Sequence, residues 1–289
     1  MIKHDLGQSE ICSQPQRVIA LGSYELDLLL SLNIEPVGYA EDNRALVGSP
    51  QLGKTVVGIK YLGDRITTLP THVGTWQTPS IESILKLNPD LILSRGLDQN
   101  LYEHLSKIAP VILPNLDSSP TQWQEDILTL GQVTGQETQA QSVISAYRQN
   151  IAVTGHQFKA SKGRQTILLL AMNDLDAIEV FAETTFAGNL LTDLGFQLIV
   201  PQNLIKSDGS VAISLESLPQ LDSDIIVIMA SGNSSVAQVK ALWQQSPILR
   251  ALRTSQAKRV YFVDYQLWSR TTGPIAAELI IDELRELLL

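Results

Sequence analysis

Glu82 and Glu216 occupy the same place in a segment that the chain carries twice. Residues 79–93, Pro-Ser-Ile-Glu-Ser-Ile-Leu-Lys-Leu-Asn-Pro-Asp-Leu-Ile-Leu, align without a gap to residues 213–227, Ile-Ser-Leu-Glu-Ser-Leu-Pro-Gln-Leu-Asp-Ser-Asp-Ile-Ile-Val, with six of fifteen positions identical. A carboxylate repeated at one position of a duplicated unit is suited to pairing with a cationic partner. In each copy a serine opens a short helix with an apolar stripe, followed by an acidic turn and an apolar strand. Two related lobes, one glutamate apiece, point to a clamshell that closes on a ligand and shows both carboxylates to a partner.

The elements around the repeat agree with an α/β fold. Residues 17–21 form an apolar run, residues 23–32 place Leu26, Leu29 and Leu30 at helical spacing, and residues 35–40 begin a second strand. Gly and Pro punctuate residues 48–79, which predicts loops around a short segment at 56–59. The first repeat helix, strand 91–94, helix 99–108 and strand 111–113 follow. Between about residues 121 and 160 the strand signal vanishes, and after Gly135 the residues Ala140, Ile144, Tyr147 and Ile151 mark one helix face. A helix over 136–159 reaches about 36 Å at 1.5 Å per residue, enough to bridge two lobes. Alternation resumes with strands 166–172 and 178–181, helix 185–194, the second repeat, strand 225–230, helix 234–244, strand 259–263 and a last helix 274–287 that Pro274 opens. The expected architecture is two lobes with mostly parallel sheets, 1–133 and 163–289, joined by a bridging helix within 134–162.

Composition narrows the classes of function. The 289 residues, 44% hydrophobic, suffice for two cores. Twenty-one Lys and Arg against thirty Asp and Glu leave a net charge of -9 without a basic run, which argues against nucleic acid or an anionic membrane as partner. No apolar run is long enough to span a bilayer, and residues 1–7 do not read as an export leader. Cys12 is the only cysteine, so an internal disulfide and a thiolate-rich metal site are excluded.

Several stretches together resemble the iron-siderophore substrate-binding proteins of ABC importers, and among them the ferric-citrate-binding type. They are Pro-Gln-Arg-Val-Ile-Ala-Leu at 15–21, Pro-Val-Gly-Tyr-Ala-Glu-Asp-Asn at 36–43, Val73-Gly74 followed by the first repeat, and Ile-Ala-Pro-Val at 108–111. In the second half they are Leu194-Gly195, Ile-Ser-Leu-Glu at 213–216, and Val263-Asp264 with Trp268-Ser-Arg270. The resemblance runs in order over nearly the whole chain. It implies a rigid two-lobed fold joined by one long helix, a ligand cleft between the lobes, and only small lobe rotations. It also implies that Glu82 and Glu216 dock onto arginines of the permease. The ordinary reading of the same glutamates is that they complement the helix dipole in a first turn, and the duplication favours docking over that reading.

Ligand residues are expected at the carboxyl ends of strands and in the loops beyond them. The first lobe offers Tyr39, Arg44, Trp76 and Arg95, and the second offers Asn173, Phe186, Trp268 and Arg270. Arginine forks match the carboxylates of an anionic ferric chelate two at a time, and aromatic walls cover its apolar surface. Each also has a plainer reading. Arg44 is as readily a solvated loop residue, Trp76 and Trp268 can be core aromatics, Phe186 can face inward on its helix, and Asn173 can cap a turn. Trp268 and Arg270 fit a Trp-x-Arg pattern of the ferric-citrate type, which the resemblance alone supplies. Arg65, in Gly-Asp-Arg, reads as a surface ion pair.

Bare iron is a poor fit for the sequence. A hard cation calls for clustered tyrosines, carboxylates or histidines, whereas His4, His72, His104 and His156 are scattered. No direct metal ligand and no cofactor are expected, and iron arrives as a preformed chelate. The alternatives are a cobalamin or haem carrier of the same fold, for which Tyr39 is the one axial candidate, and a two-lobed α/β enzyme. The chain has no glycine-rich phosphate loop, no Gly-x-Ser-x-Gly elbow and no His-Glu-x-x-His, and Gly232-Asn-Ser-Ser235 reads as a turn that starts a helix. The reading is therefore a non-enzymatic binding protein, monomeric, periplasmic or lipid-anchored at the outer face of the cytoplasmic membrane. It captures a ferric siderophore or ferric citrate and passes it to an ABC permease with its ATPase.

Overall fold

The computed structural model describes residues 2–4, 6–11, 13–41, 46, 50–112, 119–163, 165–201 and 204–289. Two compact units are present. The first comprises Met1–Asp117, Gln122–Ala146 and Thr271–Ala276; the second comprises Ser118–Thr121, Tyr147–Arg270 and Ala277–Leu289.

In the first unit β1 (Ile2–His4) and β2 (Gly7–Ser9) form an antiparallel pair, and Ser9 Oγ donates to the Val111 carbonyl at 2.6 Å. The main elements are β3 (Val18–Leu21), α1 (Ser23–Ser31), β4 (Gly38–Tyr39), β5 (Thr71–His72), α2 (Ile81–Lys86), β6 (Leu91–Ser94), α3 (Gln99–Leu105) and β7 (Val111–Ile112). The five strands β3 to β7 build an all-parallel sheet in the order β5-β4-β3-β6-β7. All four residues of β3 and of β6 are buried, which is why both read as uninterrupted apolar runs. Every residue of α1 is buried as well, two carboxylates included. The expected segment at 56–59 forms no strand; Thr55 and Ile59 make only isolated bridges, to Thr71 and Leu46.

The helical stretch holds α4 (Gln122–Thr134) and α5 (Glu137–Lys162), broken at Gly135 with φ 68°, a left-handed value that glycine adopts without strain. At 26 residues α5 is about 39 Å long. The division between the units falls inside it, after Ala146.

The second unit contains β8 (Thr166–Met172), β9 (Ile178–Phe181), α6 (Phe186–Asp193), β10 (Gln197–Leu198), β11 (Ser210–Ile213), a 3-10 turn at Leu215–Gln220, β12 (Ile225–Ala230), α7 (Val236–Gln245), α8 (Pro247–Ala251), α9 (Arg253–Gln256), β13 (Val260–Asp264), a π turn at Gln266–Arg270 and, from Ala277 onward, α10 (Pro274–Leu288). Its sheet has the order β11-β9-β8-β12-β13, with β10 beside the start of β8. Strands β8, β10, β12 and β13 are parallel, whereas β9 runs against β8 and β11 against β9. The β8–β9 connection is a tight turn held by Asp174 Oδ1, which accepts from the amides of Asp176 and Ala177. Such a short connection permits only antiparallel pairing.

The repeated segment recurs as structure. Val18 pairs with Leu91 in the first sheet and Ile167 with Ile225 in the second, each one residue past the shared aspartate. Asp90 accepts from the amides of Gln16 and Arg17 at 2.7 and 2.8 Å, and Asp224 accepts from the amide and hydroxyl of Thr166, both at 2.9 Å. The copies differ in the helix. The first forms the α-helical turns of α2, but the second forms a 3-10 turn because Pro219, opposite Leu85, lacks an amide and crowds the preceding carbonyls.

Candidate ligand-binding site

The chain of the first unit leaves β3 for β4 and β5 on one side and then returns to β6 on the other. In open α/β sheets such a reversal marks the place where loops diverge and ligands bind, and here it falls at the carboxyl ends of β3 and β6. Gly22 to Glu25 follow β3, Glu41 follows β4, Trp76 follows β5 and Arg95 follows β6. Gly22 has φ 147°, and a Cβ there would run into Glu25 Oε2, so only glycine lets this strand end turn so tightly into α1.

Arg95 is the centre of the first unit's cluster. Its Cζ lies 3.8 Å from the centroid of the Tyr24 ring, and its Nε lies 3.8 Å from Glu25 Oε1. The arginine side chain is 37% exposed, whereas Glu25 is 2% exposed. The Tyr24 hydroxyl donates to Asp126 Oδ2 on α4. Glu41 Oε2 accepts from the Ser23 amide at 2.7 Å and from the Tyr39 hydroxyl at 3.3 Å. Burial pushes the Glu25 carboxyl up to about 7 although the Arg95 charge opposes the rise. Burial also raises the Asp126 carboxyl and the Tyr24 hydroxyl, the latter with the help of the Asp126 charge.

The corresponding end of the second sheet is built from aromatics. Asn173 follows β8, and both its carbonyl and its Oδ1 accept from Ser234 Oγ at 2.9 Å. Tyr265 follows β13 and meets Phe181 edge to face at 6.3 Å between centroids. Arg270, closing the π turn, places Cζ 5.9 Å from the Tyr265 centroid. Phe186 is the first residue of α6, whose cap Thr185 accepts from the Gly188 amide. Trp268 is wholly buried, and its indole donates to Glu283 Oε2 at 2.7 Å.

These positions sort the expected site residues. Trp76, Arg95, Asn173, Phe186 and Arg270 are partly exposed and lie in loops or helix starts beyond strand ends. Tyr39 and Trp268 have no exposed surface, so neither side chain can touch a ligand in this conformation. Each is already engaged locally: the Tyr39 hydroxyl donates to the buried Glu41 and the Trp268 indole to the partly buried Glu283. Arg44 and Cys12 lie outside the described residues. Asn173 does brace the turn that starts α7, the plainer role open to it. Tyr24, Glu25, Glu41, Asp126 and Tyr265 were missed. All but Asp126 lie within three or four residues of a strand's carboxyl end, so the rule that selected Tyr39 and Arg95 could have found them.

Both repeat glutamates are exposed. Glu82 pairs with Lys86 at 2.7 Å, and that ammonium holds its carboxyl below the usual range. Among the described residues no group of three or more His, Cys, Asp and Glu could hold a metal ion. A cavity of about 320 Å³ beside α5, lined by residues such as Ile151, His156, Lys159 and Gly195, contains none of the expected ligand residues.

Residues 18–267 match the periplasmic binding protein family, and the chain belongs to it. The putative ABC transporter substrate-binding lipoprotein YhfQ of Bacillus subtilis is 30% identical over 99% of this chain and 87% of its own. The Fe(3+) dicitrate-binding periplasmic protein FecB of Escherichia coli is 26% identical over 96% and 87%. Among solved structures, SirA of Staphylococcus aureus complexed with staphyloferrin B superposes with a TM-score of 0.78 at 26% identity, covering 99% of this chain and 97% of that one. These relatives are binding proteins, and some are named as periplasmic, others as lipoproteins. No helix among the described residues is long and apolar enough to cross a membrane.

Proposed function

We propose that this chain captures an anionic ferric chelate, ferric citrate or a citrate-based siderophore, outside the cytoplasmic membrane and delivers it to an ABC permease driven by its ATPase. The observation that carries the reading is Arg95, half-exposed beyond the carboxyl end of β6 and stacked on Tyr24, in a family whose relatives are named for ferric citrate and siderophores. A guanidinium in that setting offers paired donors to a carboxylate while its hydrophobic face stays covered. The ligand contacts we assign are Trp76 and Arg95 in the first unit and Asn173, Phe186 and Arg270 in the second. The protein catalyses no reaction, and it binds iron already wrapped in its chelator, so it needs no cofactor.

Titration of the ligand-free protein with ferric citrate, a ferric citrate-hydroxamate, a ferric catecholate, haem and cobalamin tests the reading. Tight binding of one anionic ferric chelate and weak binding of the iron-free chelator is the expected result; preference for haem or cobalamin overturns it. We further assign Glu82 and Glu216 to permease docking, where exposed carboxylates give complementary charge. Replacing both with alanine should leave chelate affinity intact and reduce uptake by cells, and a loss of affinity in the double variant would remove that role.

A further inference from the structure

Arg95 is held by two neighbours, Tyr24 and Glu25. The Tyr24 ring lies under its guanidinium at 3.8 Å, the Tyr24 hydroxyl is fixed by Asp126, and Glu25 approaches its Nε. The Glu25 contact is peculiar. At 3.8 Å it is an ion pair too long for a hydrogen bond, and Glu25 Oε1 is buried without any hydrogen-bond partner among the described residues. A buried carboxylate oxygen left unsatisfied is costly, and a small movement of the arginine could fill it. The structure instead spends the guanidinium's position on the ring.

We propose that Tyr24 and Glu25 are positioning residues that hold the Arg95 fork toward an anionic ligand, with Glu25 the internal counter-charge that a ligand carboxylate replaces. The proposal rests on the reading that Arg95 meets the chelate. Glu25 addresses Nε, the end of the guanidinium nearest the chain, so the two Nη groups further out are the ones a carboxylate can grip bidentately. A neutral ligand gains nothing from displacing Glu25, so the arrangement selects for negative charge. The charged and titratable groups around Glu25 are Arg95 after β6, Glu41 after β4, Asp126 on α4 and Tyr24 on its own helix. Two of these, Glu41 and Asp126, are carboxyls that already repel a charge on Glu25, and an incoming anion adds to them and favours its protonated form.

The test compares ferric citrate with a neutral ferric trihydroxamate chelate on wild type, Tyr24→Leu, Tyr24→Phe and Glu25→Gln. Loss of the ring in Tyr24→Leu should weaken ferric citrate about tenfold, the worth of a partly desolvated cation–π contact, while Tyr24→Phe, which keeps the ring, should retain most of the affinity. The neutral chelate should be little affected. Glu25→Gln should bind ferric citrate more tightly than wild type at pH 8, and this advantage should vanish toward pH 6 as wild-type Glu25 takes up its proton. Equal losses for both chelates, equal losses in the two Tyr24 variants, or an unchanged pH profile in Glu25→Gln would each overturn the proposal. Nuclear magnetic resonance of the ligand-free protein separates it from the functional reading. The Arg95 Nε–Hε signal should show an upfield ring-current shift that Tyr24→Leu abolishes. If wild type binds no chelate but the shift is present, the functional reading fails and the positioning stands; if the shift is absent, the positioning fails.

Discussion

The two sheets share a central strand pair in one register and dress its carboxyl ends in opposite ways. In the first, Val18 pairs with Leu91 behind Asp90; in the second, Ile167 pairs with Ile225 behind Asp224. Beyond that common base the first unit sets Arg95 beside the buried Glu25, on which Glu41 and the partly buried Asp126 also act, while the second sets Arg270, two residues after the buried Trp268, near the Tyr265 ring, which meets Phe181. A duplicated frame therefore constrains the amino ends of the strands, where the aspartates close the sheet, and leaves the carboxyl ends free to diverge. The first end buries a carboxylate beside its arginine, whereas the second buries an indole beside its own.

Emptying the aromatic side should have the largest effect. Trp268→Ala removes a side chain with no exposure and strands the Glu283 carboxyl that accepts its N–H. A loss of about 3 to 5 kcal/mol is expected, as for other large-to-small core changes, measured by chemical denaturation at neutral pH. A loss under about 1 kcal/mol would show that the π turn relaxes around the gap and that packing does not govern this end.

The acidic side should instead show itself through pH. Burial raises Glu25 from an ordinary 4.5 to about 7, so the folded protein holds a proton there that the unfolded chain releases earlier. Below about pH 4.5 both states are protonated and the contribution of Glu25 is intact. As pH rises toward 7 the folded protein binds more protons than the unfolded chain, and stability falls; above 7 both have released the proton and the loss is complete. At about 1.4 kcal/mol per unit, the shift corresponds to about 3 kcal/mol. Denaturation at pH 5 and pH 8 should show a smaller fall for Glu25→Gln than for wild type, and parallel curves would mean that Glu25 titrates normally.

How much of this was legible in the sequence follows from the same division. The strand pair could be read because β3, β6, β8 and β12 are buried on both faces and so appear as unbroken apolar runs. The repeat exposed the shared aspartates, and Gly135 marked the break before the long helix. The antiparallel β9 and β11 could be located only in part, since strand direction depends on turn length and not on strand composition. In the site, Arg95 and Arg270 were found because a strand end is recognisable and arginine is conspicuous there. Tyr39 and Trp268 look identical to ligand-lining aromatics by type and position; their burial is decided by Glu41 and Glu283, and nothing in the spacing links Trp268 to a residue fifteen positions later on another helix. Glu25 and Asp126 escaped notice because an acid in an apolar helix reads as a solvent-facing residue. Only the structure shows that α1 has no solvent-facing side.

The smallest effect is expected at the repeat itself, where the copies are most alike. Ser80 and Ser214 precede equivalent turns and each hydroxyl meets the serine three residues on, at 3.1 and 3.0 Å. They differ in one respect: Ser80 accepts from the Ser83 amide as a helix N-cap, whereas Ser214 makes no such bond to its 3-10 turn. Replacing each by alanine therefore removes the same side-chain pair from both copies and a cap from only the first. Ser80→Ala should cost about 1 kcal/mol, and Ser214→Ala distinctly less, because the proline-shaped turn never offers the amide for capping. The difference between the two denaturation midpoints isolates the cap from the serine pair. Equal losses would mean that the second turn tightens into a capped helix in solution, and that Pro219 does not set the two copies apart.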